Sequence, residues 1–133
     1  MGKILKPLLL LLLCISITTP FSLRVAASQL LEIVIIDVGQ GDSTLIITPE
    51  GKAVLIDAGD SDHVAKVVEE LEARNIDTLE IVIATHPHTE HMQGLIDILK
   101  RYQVNEILEP GKEIFNGVYN AFIDMARLKG GSK

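Results

Sequence analysis

The chain has 133 residues, with twelve basic against eighteen acidic side chains and a formal net charge of −6, a length that suits one domain and not two. No Lys/Arg cluster interrupts the acidic balance, which excludes a strong nucleic-acid surface built by neutralising phosphates. The single cysteine, Cys14, excludes an intrachain disulfide framework.

The chain opens on Lys3 and Lys6, continues through an apolar run from Leu8 to Ile17 and reaches the small-residue stretch Val25-Ala26-Ala27. A basic start, a short apolar core and a small-residue exit read as a signal peptide over residues 1–27, so the protein is expected to be exported: periplasmic, secreted or on the outer face of a membrane. The run falls short of the roughly 20 residues of a membrane span, and Pro20 blocks its extension. Membrane attachment is therefore foreseen only through an uncleaved signal. A large residue, Leu13, precedes Cys14, which argues against a lipid anchor. Residues 28–133 then form the domain, with nine basic residues against eighteen acidic ones once Lys3, Lys6 and Arg24 are set aside. It contains no cysteine, so its chemistry falls to His, Asp, Glu, Ser or Lys.

Three short β-branched segments follow. Glu32 to Val38, Ser43 to Thr48 and Ala53 to Ala58 are separated by Gly39-Gln40-Gly41-Asp42 and Pro49-Glu50-Gly51-Lys52, which predicts an antiparallel meander. The period then changes. Val64, Val67, Val68 and Leu71 share one helical face, with Asp60, Ser61 or Asp62 as the cap and Asn75 at the end. Leu79 to Ala84 reads as a buried strand. Met92, Leu95, Ile96, Leu99 and Tyr102 mark a second amphipathic helix, Val104 to Leu108 a short strand, and Asn116 to Leu128 a last helix packing through Tyr119, Phe122, Ile123 and Ala126. Strands followed by alternating helices and strands give a mixed α/β (α+β) sheet with helices on at least one face and one sheet edge left uncovered.

Three of the four histidines fall within six residues, at His86, His88 and His91, with Glu90 between the last two. They lie between a buried strand and a helix. His86 and His88, one residue apart in an extended loop, can turn toward one point, while Glu90 and His91 open the helix toward a second. Imidazole and carboxylate suit zinc, iron or manganese. The fourth, His63, lies upstream at a helix start and reads as a solvated or capping residue. Gly39-Gln40-Gly41-Asp42 lacks the GK[ST] of a phosphate-binding loop, so Asp42 reads as part of a structural turn that approaches the site.

His86-Pro87-His88-Thr89-Glu90-His91 resembles the HxHxDH motif of the metallo-β-lactamase superfamily. Together with Ile36-Asp37-Val38-Gly39-Gln40-Gly41-Asp42-Ser43 and Leu55-Ile56-Asp57-Ala58-Gly59, it is similar in particular to the hydrolase domain of bacterial competence DNA-uptake proteins and its free-standing secreted relatives. The resemblance implies an αββα sandwich, of which this chain supplies about the first half. It also implies two divalent metal ions, zinc first with manganese or iron as alternatives. His86 and His88 would hold the first metal, and Glu90 and His91 the second. Glu90 would double as general base, and Asp57 would orient the metal loop by hydrogen bonds behind the ligands. The implied activity is attack of a metal-activated hydroxide on a phosphodiester, ester or amide, in a small molecule or a phosphodiester substrate. The rival expectation is a non-catalytic metal-binding or scaffold remnant.

Two positions depart from the motif. Glu90 stands where the family has Asp, and its extra methylene predicts a weaker or altered second metal, because metal sites tolerate little misplacement. Gln93 replaces a glycine. The family also implies a later His, a bridging Asp and a final His, and the one histidine left over here, His63, lies upstream of the motif.

Overall fold

A computed structural model describes residues 30–111 and 117–130. The expected signal peptide, residues 1–27, lies outside them. Five strands and three helices follow one another as β1 (Glu32–Ile35), β2 (Thr44–Ile47), β3 (Ala53–Ile56), α1 (Val64–Ala73), β4 (Thr78–Ile83), α2 (Thr89–Arg101), β5 (Gln103–Leu108) and α3 (Gly117–Leu128). The strands form one sheet in sequence order. β1, β2 and β3 pair antiparallel, as the Gly- and Pro-containing turns between them require. β4 lies parallel to β3, and β5 parallel to β4, because α1 and α2 carry the chain back across the sheet.

Register decides which face the helices cover. Val34, Leu45, Leu55, Val82 and Ile107 align across all five strands. Of these, Leu45, Leu55, Val82 and Ile107 are fully buried in one cluster with Val67, Leu71, Met92, Leu95, Ile98, Leu99, Tyr119 and Phe122 from the helices. Burying each such side chain contributes roughly 1.5–3 kcal/mol. The neighbouring rows, Ile33–Ile46–Val54–Ile81–Glu106 and Ile35–Thr44–Ile56–Ile83–Leu108, contain no buried residue. Among the described residues this second face is therefore left uncovered and largely apolar, and at β1 both Ile33 and Ile35 are exposed. Leu79 and Val82, three residues apart, are both buried, so β4 departs from strict alternation.

β1 ends at Ile35, earlier than the sequence pattern suggests, although Ile36 and Val38 stay buried. Only the Ile36 N–H to Ser43 carbonyl bond (2.9 Å) carries the pairing onward, because Gly39 and Gly41 turn the chain with φ of 71° and 97°. Tyr102 stands just past α2 as its extended C-cap, still 9 % exposed. Asn75 takes the left-handed conformation (φ 55°) after α1, one of the few conformations with positive φ that Asn tolerates.

Candidate metal centre

The centre forms at the C-terminal ends of the parallel strands β3 and β4. Asp57, the residue after β3, donates its N–H to the Ile83 carbonyl at 2.9 Å, and Ala84 after β4 donates to Leu108 at 2.9 Å. Both strand ends are thus locked before their loops begin. Further backbone bonds lace the loops together: Ala58 N–H to the His91 carbonyl (3.0 Å), Gly94 N–H to Gly59 (2.9 Å) and Gly59 N–H to Asp42 (3.2 Å). The approach of α2 to the β3 loop is so close that a Cβ on Gly94 would lie 2.1 Å from the Ala58 carbonyl oxygen. Glycine is required there by contact, not by conformation.

Asp57 is the hub. It is 2 % exposed and has φ 55°, a left-handed conformation open to few residues besides Gly, Asn and Asp. Its Oδ1 accepts the Thr85 N–H at 2.9 Å. Its Oδ2 accepts the Thr85 hydroxyl at 2.5 Å and faces His91 Nδ1 at 3.1 Å. Thr85 Oγ1 also lies 2.9 Å from His86 Nδ1.

These contacts assign the protons. An ionised carboxylate only accepts, and a hydroxyl has one proton to give. Thr85 gives its proton to Asp57, so its oxygen accepts from His86 Nδ1–H. His91 Nδ1–H likewise donates to Asp57. Each neutral ring then carries its lone pair on Nε2, one of the two nitrogens through which imidazole binds metals. The His86 and His91 rings stand 3.9 Å apart between centroids at 52°. Asp57, His86 and His91 each place one ligand atom within 4.8 Å of one another. Ligand atoms on one tetrahedral zinc ion sit roughly 3.4 Å apart, so the three side chains cluster more loosely than ligands closed around one ion. The donor chemistry fits a borderline divalent metal.

His88 is exposed at the N-cap of α2, in extended backbone. Its ring meets that of His86 edge-on at 4.8 Å, and its carbonyl accepts the His91 and Met92 N–H groups, both at 3.1 Å. Glu90 sits half-buried in the first turn of α2. The group that converges among the described residues contains His86, His91 and Asp57, and neither His88 nor Glu90 belongs to it. Thr85 had no assigned role in the sequence reading. Its only signal was a hydroxyl immediately before the first histidine, at a strand end.

The flanking turn is held from its other side. Lys66 Nζ donates to the Asp37 carbonyl at 2.6 Å. The Asp37 carboxyl is held below its usual range, first by the Gly39 N–H and then by the Lys66 charge. Asp60 Oδ1 accepts the N–H groups of Asp62 and His63 and contacts His63 Nδ1 at 2.8 Å. That His63 contact is the main cause of the lowered Asp60 pKa. His63 is the N-cap of α1 but makes no side-chain capping bond.

Comparison with known proteins follows the same residues. A hydroxyacylglutathione hydrolase of Photobacterium profundum is 29 % identical over 80 residues, 60 % of this chain and 30 % of that protein. A second, from Dechloromonas aromatica, is 32 % identical over 88 residues, 66 % of this chain and 31 % of its own length. The chain thus spans about three tenths of the length of these curated relatives. A solved metallo-beta-lactamase from Cronobacter sakazakii with a mutated HARLDQ motif superposes with a TM-score of 0.49 at 19 % identity, over 56 % of this chain and 30 % of that one. The metallo-beta-lactamase superfamily model matches residues 36–117, from the end of β1 to the start of α3 and through every residue of the centre, and the chain belongs to that superfamily.

Proposed function

We propose that this domain carries the metal-binding part of an exported hydrolase that cleaves an ester-type bond, carboxylic or phosphodiester, with zinc as its ion. The carrying observation is the hydrogen-bond chain from Asp57 through Thr85 to His86, and from Asp57 to His91, which leaves both Nε2 atoms free. A divalent ion held there supplies Lewis acidity to polarise a scissile carbonyl or phosphoryl group. His86 and His91 are the imidazole donors, and Asp57 fixes both rings from a buried position. His88 and Glu90 stand on the adjacent turn, where they would serve a second ion, with Glu90 as the proton acceptor. The hydroxyacylglutathione hydrolases among the relatives favour an acyl-ester-like substrate over a β-lactam. The basic start at Lys3 and Lys6, the apolar run and Val25-Ala26-Ala27 support export.

The test is zinc uptake by the purified chain, measured by competition with a chromophoric chelator, followed by hydrolysis of a generic ester and a generic phosphodiester. Uptake should be loose, because catalytic zinc generally takes three protein ligands and here the four motif residues divide between two ions. His86→Ala and His91→Ala should each abolish the tighter uptake, leaving at most the weaker ion on His88 and Glu90, and His88→Ala should cost less. Uptake at parental affinity in His91→Ala would overturn the reading. Zinc binding without metal-dependent turnover of any ester would favour the non-catalytic scaffold instead.

A further inference from the structure

Asp57 spends both carboxylate oxygens on Thr85 and His91. A second carboxylate stands beside the same imidazole: Asp42 Oδ2 lies 3.8 Å from His91 Nδ1, on a side chain 80 % exposed. Its position is built by the fold. The Asp42 carbonyl accepts the Gly59 N–H at 3.2 Å. The preceding residue, Gly41, abuts the start of α2 so tightly that a Cβ there would fall 1.8 Å from the Glu90 carbonyl oxygen. The Gly39–Asp42 turn is therefore pinned both to the β3 loop and to the helix that carries Glu90 and His91.

We propose that Asp42 is an electrostatic positioning residue for the metal centre, acting through His91. Its charge reinforces the Nδ1–H polarisation that Asp57 begins, and it lowers the potential at Nε2 without coordinating the ion. At 3.8 Å it is beyond a hydrogen bond, and its exposure leaves the interaction open to solvent and salt. In water-like dielectric a unit charge several ångströms from a divalent ion changes affinity by up to about tenfold at low ionic strength. Asp42 differs in this from Asp57, whose contribution is buried and hydrogen-bonded and so resists salt.

This inference rests on the metal reading above. The experiment titrates zinc into the full chain and its Asp42→Asn and Asp42→Glu variants at low and at high salt. Asp42→Asn should lose affinity at low salt, by up to about tenfold, and the deficit should largely vanish near 1 M salt, where the screening length falls to roughly 3 Å. Asp42→Glu, which keeps the charge, should recover most of the loss. Thermal unfolding of the metal-free variants should match the parent, as expected for an exposed side chain. Unchanged affinity in Asp42→Asn at low salt would overturn the proposal. So would a deficit that persists undiminished at high salt, which would mean direct coordination or structural damage. A parent chain that takes up no zinc would sink the metal reading itself, and this proposal with it.

Discussion

Asp57→Asn changes the proton map of the centre while leaving its shape almost intact. Asparagine tolerates the left-handed backbone that residue 57 adopts at φ 55°, so the substitution adds little strain. Its amide oxygen can still accept the Thr85 N–H. Its NH2 group then faces Thr85 Oγ1 and His91 Nδ1, which in the parent both donate to Oδ2. Both contacts must reverse. His91 turns its lone pair to Nδ1, and the Thr85 proton, displaced from residue 57, turns toward His86 Nδ1. Each ring is driven to carry its proton on Nε2, where a metal would bind. Hydrogen bonds to a charged group contribute about 1.5–3 kcal/mol and neutral ones about 0.5–1.5 kcal/mol. Three such exchanges, offset by the relief of burying a charge, give a net loss of roughly 1–2 kcal/mol. At about 4–8 °C per kcal/mol for a domain of this size, Tm should fall by roughly 5–15 °C. Metal affinity should fall further, by about 10–100-fold, the usual cost of removing the partner behind a metal-binding histidine. Differential scanning fluorimetry without metal and chelator competition with zinc read the two effects separately. Affinity within about twofold of the parent, alongside the Tm loss, would show that Asp57 sets geometry only and that the tautomer argument is wrong.

Gly94→Ala should cost more than about 3 kcal/mol, because its Cβ would sit 2.1 Å from the Ala58 carbonyl oxygen and two locked backbones must part. Gly51→Ala meets nothing within 4 Å and carries only its φ of +80°, so it should cost about 1–2 kcal/mol; equal losses in urea unfolding would refute the contact argument. Glu80 is held below the usual carboxylate range, first by the Lys52 ammonium (2.8 Å) and then by Asn105 (3.0 Å). A carboxyl depressed in the folded state stabilises above its unfolded pKa of about 4.3 and loses that contribution as pH falls through the folded value. The small, salt-screened Tm advantage over Glu80→Gln should therefore be present at about pH 6 and shrink toward about pH 3, and an advantage that grows on acidification would contradict this linkage.

The amino-acid sequence by itself determined the elements and the chemistry they carry. β-branched runs broken by Gly and Pro set β1 to β3, and the spacing of Val64, Val67, Val68 and Leu71 set the buried stripe of α1. The density of histidine between a strand and a helix marked the metal loop. These signals are local: strand and helix periods and turn residues act over a few positions, and each can be read along the chain. The partnerships that make the loop a centre are not local. Asp57 reaches His91 across 34 residues and Thr85 across 28, and only the parallel register of β3 against β4 brings those strand ends side by side. The sequence assigned Asp57 a supporting role by family likeness, but not which protons it fixes, nor that Thr85 relays its effect to His86. Nor did it show that Gly94 and Gly41 are required by contact with Ala58 and Glu90. Tertiary structure decided those points, because a carboxylate's hydrogen-bond partners and a glycine's neighbours depend on how loops from separate strands pack at one sheet edge.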